Sequence, residues 1–283
     1  PRTYQDGDPA GMLKRIRELP QQVQDAWQHG QGLSLPDNYR EVSCVVILGM
    51  GGSAIGGDLL RTLVADECPV PIFVCRDYDV PGFVNSRTLV IASSYSGTTE
   101  ETLSAFGQAR ERGAKLLALT TGGQIANFAQ ADGFPILRFS YDAQPRAALG
   151  YSFVPLLGIL QKLGLVSDRG AEIEEAVSAL GDLRSLIDEQ APKSQNPAKQ
   201  MASKLYGHLP VVYGAGLLAE VARRWKGQFN ENSKAWAFHE TLPELNHNAV
   251  VGYDFPRELA STFLVIFLKA DLLHPRTLKR YEV

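Results

Sequence analysis

The sequence predicts an α/β protein with two doubly wound, parallel-sheet lobes, the second of which looks incomplete at its C-terminus. Short, continuous apolar runs alternate with helical segments through most of the 283 residues. Parallel strands that are buried on both faces have such unbroken apolar sequences, and helices supply the crossovers between them. A glycine turn follows a strand in each half, at Gly49–Gly52 and at Gly214–Gly216, which leaves a duplicated domain open.

The first 42 residues predict a helical lead-in. Met12, Leu13, Ile16 and Leu19 recur at helical spacing, and Gly30 indicates where the helix ends.

The next hundred residues or so predict the first sheet. The apolar runs predict strands at Cys44–Leu48, Val70–Cys75, Thr88–Ala92, Lys115–Leu119 and Pro135–Phe139. The segments between them predict helices at Ser53–Val64, Thr99–Gly113 and Gln124–Ala131. Strands and helices that alternate in this way form one parallel sheet covered on both faces.

The rest of the chain predicts a helical connection and a second lobe. Apolar residues continue at helical spacing to Ile187, and the polar, proline-marked segment Gln190–Pro197 predicts a linker. A strand at Leu209–Tyr213, a helix at Leu217–Gln228 and a strand at Phe263–Leu268 follow. The predicted domains are residues 1–42, 43–150, 151–197 and 198–283, the last of them truncated because it has too few strands for a full sheet.

Composition and charge narrow the class of protein. Hydrophobic residues make up 45% of the chain and the formal net charge is −3, so nothing predicts binding to nucleic acid or to an anionic membrane. The apolar stretches are far shorter than the roughly 20 residues of a membrane helix. The three cysteines form no CxxC pair and no metal-like cluster. We therefore expect a cytoplasmic protein without metal or cofactor.

The first glycine turn predicts an anion-binding loop. Gly49 to Ser53 follow a buried strand, where the backbone can approach an anion at a helix N-terminus. Ser53 is predicted as the N-cap, whose hydroxyl caps the helix or binds phosphate. The nucleoside triphosphate loop pattern is absent. A dinucleotide fingerprint with Asp77 as its acidic residue stays open at this point, as does a simple strand-to-helix turn.

A second turn, after the strand Leu89–Ala92, favours phosphate binding. Serines and threonines fill this turn before a helix, and ligands of open parallel sheets bind beyond the carboxyl ends of the strands. Neutral hydroxyl and amide donors suit a sugar monophosphate, which must leave after reaction; helix capping is the alternative. The predicted phosphate-binding residues are Gly51, Gly52, Ser53, Ser94, Ser96 and Thr99.

These two motifs resemble the sugar isomerase domain. The whole chain is similar to the bifunctional phosphoglucose/phosphomannose isomerase branch of the phosphoglucose isomerase superfamily. The resemblance implies an aldose–ketose isomerase that interconverts glucose 6-phosphate or mannose 6-phosphate with fructose 6-phosphate through an enediolate, without a metal. It is carried by Gly49–Ser53, Ser94–Glu100, Ala143–Leu149, Phe229–Lys234 and Leu242–Asn248.

The resemblance also implies three catalytic residues. It matches Glu231 to the base that moves a proton between C1 and C2, His247 to the ring-opening acid/base and Arg146 to the cation beside the enediolate. Taken alone, each has an ordinary alternative, respectively a polar helix end, a surface histidine and a salt-bridged arginine. The resemblance further implies a homodimer in which His247 enters the site from the partner subunit.

Other interpretations fit the sequence less well. A non-catalytic sugar-phosphate-binding regulatory module would keep the phosphate loops without the three catalytic residues. The isomerase of a glutamine-dependent amino-sugar synthase would need a glutaminase domain, for which the chain has no room.

His239-Glu240 lacks the rest of a metal motif. The lysine that the family supplies to its site is matched by neither Lys269 nor Lys279.

Overall fold

The computed structural model describes residues 2–282. The chain forms two compact units, Pro1–Ser185 and Leu186–Val283, which we call unit 1 and unit 2.

Unit 1 is built on a five-stranded parallel sheet with the strand order β2-β1-β3-β4-β5. The central strands are buried along their length because helices cover both faces of the sheet. This confirms the predicted doubly wound lobe. The strands are β1 (Cys44–Leu48), β2 (Ile72–Cys75), β3 (Thr88–Ser93), β4 (Lys115–Thr120) and β5 (Ile136–Arg138).

The helices of unit 1 fall into two layers. One face of the sheet packs against α3, α4 and α7, and the other against α5 and α6. The helical stretch predicted after Arg146 consists of two helices, because a left-handed residue, Gly164 at φ 72°, follows α7 and separates it from α8. The helices are α1 (Arg2–Gly7), α2 (Met12–Arg17), α3 (Leu19–Gly32), α4 (Gly51–Leu63), α5 (Glu100–Glu111), α6 (Gly123–Asp132), α7 (Leu149–Lys162) and α8 (Gly170–Leu186).

Unit 2 contains a three-stranded parallel sheet with the order β7-β6-β8. Its strands are β6 (Leu209–Ala215), β7 (Phe238–Leu242) and β8 (Phe263–Phe267), and its helices are α9 (Pro197–Leu205), α10 (Leu218–Asn232) and α11 (Pro275–Arg280). The amphipathic helix α10 packs against the face of the sheet that carries Val212 and Ile266. No helix within residues 2–282 has both the length and the apolar character to cross a membrane.

The two units share the same strand-to-helix turn. A glycine with a positive φ follows the first strand of each sheet, Gly51 at 48° and Gly216 at 53°. Only glycine adopts this backbone conformation without steric cost. In each unit the turn lets the backbone reverse sharply from the strand into the helix that covers the sheet, as the matching glycines in the sequence predicted.

Candidate functional site

Ser53 joins the two turns that follow β1 and β3. Its hydroxyl accepts the backbone N–H of Tyr95 at 3.1 Å, and its carbonyl accepts the hydroxyl of Ser93 at 3.0 Å. The two turns therefore meet at one edge of the sheet, as their neighbouring parallel strands predicted. A hydroxyl that accepts one hydrogen bond keeps its own proton to donate, so Ser53 can still serve a ligand.

The predicted N-cap role of Ser53 is wrong. Helix α4 begins at Gly51 with Met50 as its N-cap, so Ser53 is the third residue of the helix. The carbonyl of Met50 accepts the N–H groups of Ser53 and Ala54. The first N–H groups of a helix have no intrahelical acceptor, and in α4 these belong to Gly51 and Gly52. They face the end of the helix where its dipole favours an anion.

The turn after β3 is held together by its own hydroxyls. The hydroxyls of Ser94 and Thr99 lie 2.9 Å apart, and that of Ser94 also accepts the N–H of Gly97 at 3.1 Å. The hydroxyl of Ser96 accepts the N–H of Thr98 at 3.2 Å. Ser94 is buried whereas Ser96 is exposed. Ser94 therefore shapes the loop, and Ser96 is presented to solvent.

The space between the turns is closed on its inner side. A cavity of about 10 Å³ behind Gly52 and Ser53 is lined by Ser93 and Tyr95, and it has room for about one water molecule. A phosphate group can therefore approach only from the outer side, where Gly51 and Ser96 are exposed. We call this outer surface of the two turns the phosphate cradle.

Arg146 lies in a third segment that reaches the cradle. It is the middle residue of the short 3-10 helix Pro145–Ala147 and is half-buried. The backbone of this helix packs so closely on Gly52 that a Cβ there would lie 2.8 Å from the carbonyl oxygen of Pro145. Unit 1 thus brings together all six predicted phosphate-binding residues and Arg146.

In unit 2, Glu231 is the penultimate residue of α10. It is exposed, and its carbonyl accepts the Lys234 ammonium at 2.6 Å. The side-chain amide of Asn230 donates to the carbonyl of Ala235 at 2.9 Å, which closes the helix end. One residue that the sequence analysis missed is Arg224, seven positions before Glu231 and so on the same face of α10. Burial lowers the pKa of Arg224 to about 10, while the nearby charge of Glu231 raises it.

His247 lies beyond the carboxyl ends of the strands of the unit 2 sheet. It ends the 3-10 helix Glu244–His247, just past the carboxyl end of β7, and is exposed. Helix α10 starts beyond the carboxyl end of β6 and runs back along the sheet, which places Glu231 near the amino end of β7. At a rise of 1.5 Å per residue, the helix places Glu231 roughly 20 Å from the carboxyl ends of the strands, where His247 lies. Within unit 2, Glu231 and His247 are therefore far apart.

The His239-Glu240 pair belongs to strand β7, which the sequence analysis did not predict. His239 pairs in register with Val212 and is half-buried. Burial, followed by the charge of Arg223, lowers the pKa of its imidazole. Across residues 2–282, no three histidine, cysteine or acidic side chains cluster closely enough to hold a metal ion.

Comparison with known proteins identifies the fold. A family model described as the bacterial phospho-glucose isomerase C-terminal SIS domain matches residues 194–283. The C-terminal domain of glucosamine-fructose-6-phosphate aminotransferase from Francisella tularensis superposes with a TM-score of 0.67 at 17% identity, over 96% of this chain and 79% of that one. The family model thus identifies a sugar isomerase (SIS) domain in unit 2, and the superposition shows that the chain has the fold of that structure.

Closer relatives specify the family. A bifunctional phosphoglucose/phosphomannose isomerase from Caldicellulosiruptor bescii is 45% identical over 273 residues, 96% of this chain and 80% of that protein. A protein of the same name from Aquifex aeolicus is 37% identical, over 84% of this chain and 71% of its own length. The chain belongs to the bifunctional phosphoglucose/phosphomannose isomerase family.

Proposed function

We propose that this protein interconverts glucose 6-phosphate and mannose 6-phosphate with fructose 6-phosphate. The observation that carries the proposal is the hydrogen-bonded junction of the two turns at Ser53, which forms a phosphate cradle at the edge of the unit 1 sheet. Family membership supports the choice of sugar, since the relative from Caldicellulosiruptor bescii carries both activities in its name.

The cradle binds the phosphate through neutral donors. The N–H groups of Gly51 and Gly52 and the hydroxyls of Ser53, Ser96 and Thr99 are the donors that this proposal assigns to the phosphate oxygens. The buried hydroxyl of Ser94 supports that of Thr99 from behind. The N-terminal dipoles of α4 and α5 add positive potential at the same edge. Hydrogen bonds from neutral donors leave the binding reversible enough for the product to leave.

The isomerisation moves one proton between two carbons. His247 donates a proton to the ring oxygen, the C1–O5 bond breaks, and the O1 hydroxyl returns a proton to His247. Glu231 then removes the proton from C2, and the electron pair forms the C1–C2 double bond of an enediolate. The Arg146 guanidinium stabilises the negative charge on O1. Return of the proton to C1, with transfer of the O2 hydroxyl proton to O1, gives the ketose.

One intermediate can serve both aldoses. Glucose 6-phosphate and mannose 6-phosphate differ only in the configuration at C2. Because C2 is planar in the enediolate, both sugars give the same intermediate. In the reverse reaction, the face of C2 that receives the proton decides which aldose forms. The chemistry requires a carboxylate and a guanidinium and no metal ion.

We further propose that His247 acts on substrate bound by the partner subunit of a homodimer. An extended hexose phosphate of seven or eight bonds at about 1.5 Å each reaches roughly 10 Å, which is about half of the separation between His247 and Glu231 in unit 2. A second copy of the chain would supply the histidine that one copy cannot.

Three free thiols are consistent with a reducing cytoplasm as the compartment.

The direct test is turnover of fructose 6-phosphate with and without EDTA. We expect both glucose 6-phosphate and mannose 6-phosphate to form, at rates that chelation does not change. Loss of activity with EDTA would contradict the metal-free mechanism. Binding of fructose 6-phosphate without any turnover would instead favour the non-catalytic regulatory module.

A further inference from the structure

The segment that carries Arg146, residues 141–147, is held in place by side chains from elsewhere in unit 1. We call it the Arg146 segment. The phenol of Tyr95 donates to the carbonyl of Tyr141 and accepts the N–H of Ala143 at 3.2 Å. One hydroxyl thus satisfies two backbone groups that lie three and five residues before Arg146.

The other anchors come from the N-terminal helices. The side-chain amide of Gln22, 2% exposed, donates to the Tyr141 hydroxyl at 2.7 Å and to the carbonyl of Ala147 at 3.0 Å. The Arg15 guanidinium lies 5.1 Å from the centre of the Tyr141 ring and donates to the carbonyl of Asp142. These contacts fix the segment to α2 and α3, which bear no part of the cradle.

Tyr95 differs from these anchors because it also belongs to the cradle. It stands between Ser94 and Ser96, and the hydroxyl of Ser53 accepts its backbone N–H at 3.1 Å. Its carbonyl accepts the hydroxyl of Thr121 at 2.7 Å, which fixes the backbone on its other side. The same residue therefore has its main chain in the phosphate loop and its phenol on the Arg146 segment.

We propose that Tyr95 is a positioning residue that couples occupancy of the cradle to the placement of Arg146. The proposal rests on the role assigned above to Arg146. A phosphate that orders Ser94 and Ser96 also orders the backbone between them. Through the phenol of Tyr95 that order reaches the Arg146 segment, and the guanidinium is set where the enediolate charge develops.

The test variant is Tyr95→Phe, which removes the hydroxyl and keeps the ring packed edge-on against Phe139, at 5.9 Å between centroids. We expect kcat to fall roughly tenfold because a small misplacement of a catalytic group is costly. KM for fructose 6-phosphate and the inhibition constant of inorganic phosphate should change much less than kcat, since the cradle donors remain. The matched control is Tyr151→Phe, on the same aromatic cluster, where the ring stacks on Phe139 at 4.9 Å and the phenol faces Asp25.

A double-mutant cycle separates positioning from general structure. In an Arg146→Ala background, Tyr95→Phe should cause no further loss, because the group that it positions is gone. An equal loss in both backgrounds would overturn the proposal, as would a weaker inhibition by phosphate with kcat intact. An Arg146→Ala variant as active as the parent would instead refute the role of Arg146.

Amide hydrogen exchange tests the coupling without any turnover. Inorganic phosphate should slow exchange at Ala143 and Ala147 in the wild-type protein and leave both unchanged in Tyr95→Phe. Slowing of the same size in both proteins, or in neither while phosphate binds, would contradict the coupling. Failure of phosphate to bind at all would contradict the cradle itself.

Discussion

Gly52 lies against the backbone of Arg146, so that a Cβ on Gly52 would be 3.1 Å from the Arg146 nitrogen. The two residues are nearly a hundred positions apart in the sequence, yet the first turn of α4 and the Arg146 segment touch without a side chain between them. The close approach requires glycine at this position, quite apart from any need of the phosphate.

Gly52→Ala should therefore lower both stability and activity. Overpacking against the backbone costs about 1–3 kcal/mol of unfolding free energy. The displaced Arg146 segment should reduce kcat/KM roughly tenfold. The control is Gly107→Ala in α5, where a Cβ meets nothing within 4 Å and should add roughly 0.5–1 kcal/mol of stability. Urea unfolding and steady-state kinetics measure the two effects, and equal stability of both variants would contradict the close contact.

Glu231→Gln should abolish proton transfer while leaving the substrate bound. Loss of a general base typically costs about 10²–10⁴ in rate, and the phosphate contacts in unit 1 are untouched. The measurement is exchange of the C2 proton of glucose 6-phosphate with deuterium from solvent, together with KM. Glu258→Gln, an exposed change in the same unit, should exchange at the parent rate. Undiminished exchange in Glu231→Gln would remove Glu231 from the role.

A mixture of two inactive variants should regain activity if His247 is shared. A heterodimer of Glu231→Gln and His247→Asn has one site that carries both substitutions and one that carries neither. Random reassortment should then restore about a quarter of the parent activity. Activity that stays at the level of the separate variants after verified subunit exchange would contradict a shared histidine.

Unit 2 should lose stability on acidification because of His239. Its folded pKa lies below the unfolded value, so its contribution is present above about pH 6.5. That contribution is lost as the pH falls through the folded pKa, since protonation favours the unfolded chain. His239→Leu should flatten the drop in urea midpoint between about pH 7.5 and pH 5, whereas His208→Leu, at an exposed position, should not. A drop of unchanged size in His239→Leu would exclude His239 as its cause.

The sequence was most informative where one physical constraint dominates. The strands β1, β3 and β4 could be predicted because burial on both faces demands unbroken apolar runs. Strand β7 could not, because its partly exposed residues mix polar and apolar side chains. The start of α4 was misplaced because the left-handed Gly51 allows the helix to begin two residues before Ser53.

The candidate site divides in the same way. Its loops could be predicted because the carboxyl ends of neighbouring parallel strands must lie at one sheet edge. The anchors of the Arg146 segment could not, because Gln22 and Tyr95 lie 125 and 46 residues from the backbone groups that they bind, Ala147 and Tyr141. Arg224 could have been predicted from the sequence, because its spacing of seven residues from Glu231 places both side chains on one face of the helix.

The packing of α3 against α7 has a consequence for synthesis of the protein. These two helices lie on the same face of the sheet, but α7 is made more than a hundred residues after α3. While the ribosome is still translating β2 to β5, the apolar side of α3 has no α7 to cover it. Unit 1 therefore cannot close its core before Lys162 leaves the exit tunnel, and until then its nascent chain is a natural client for chaperones.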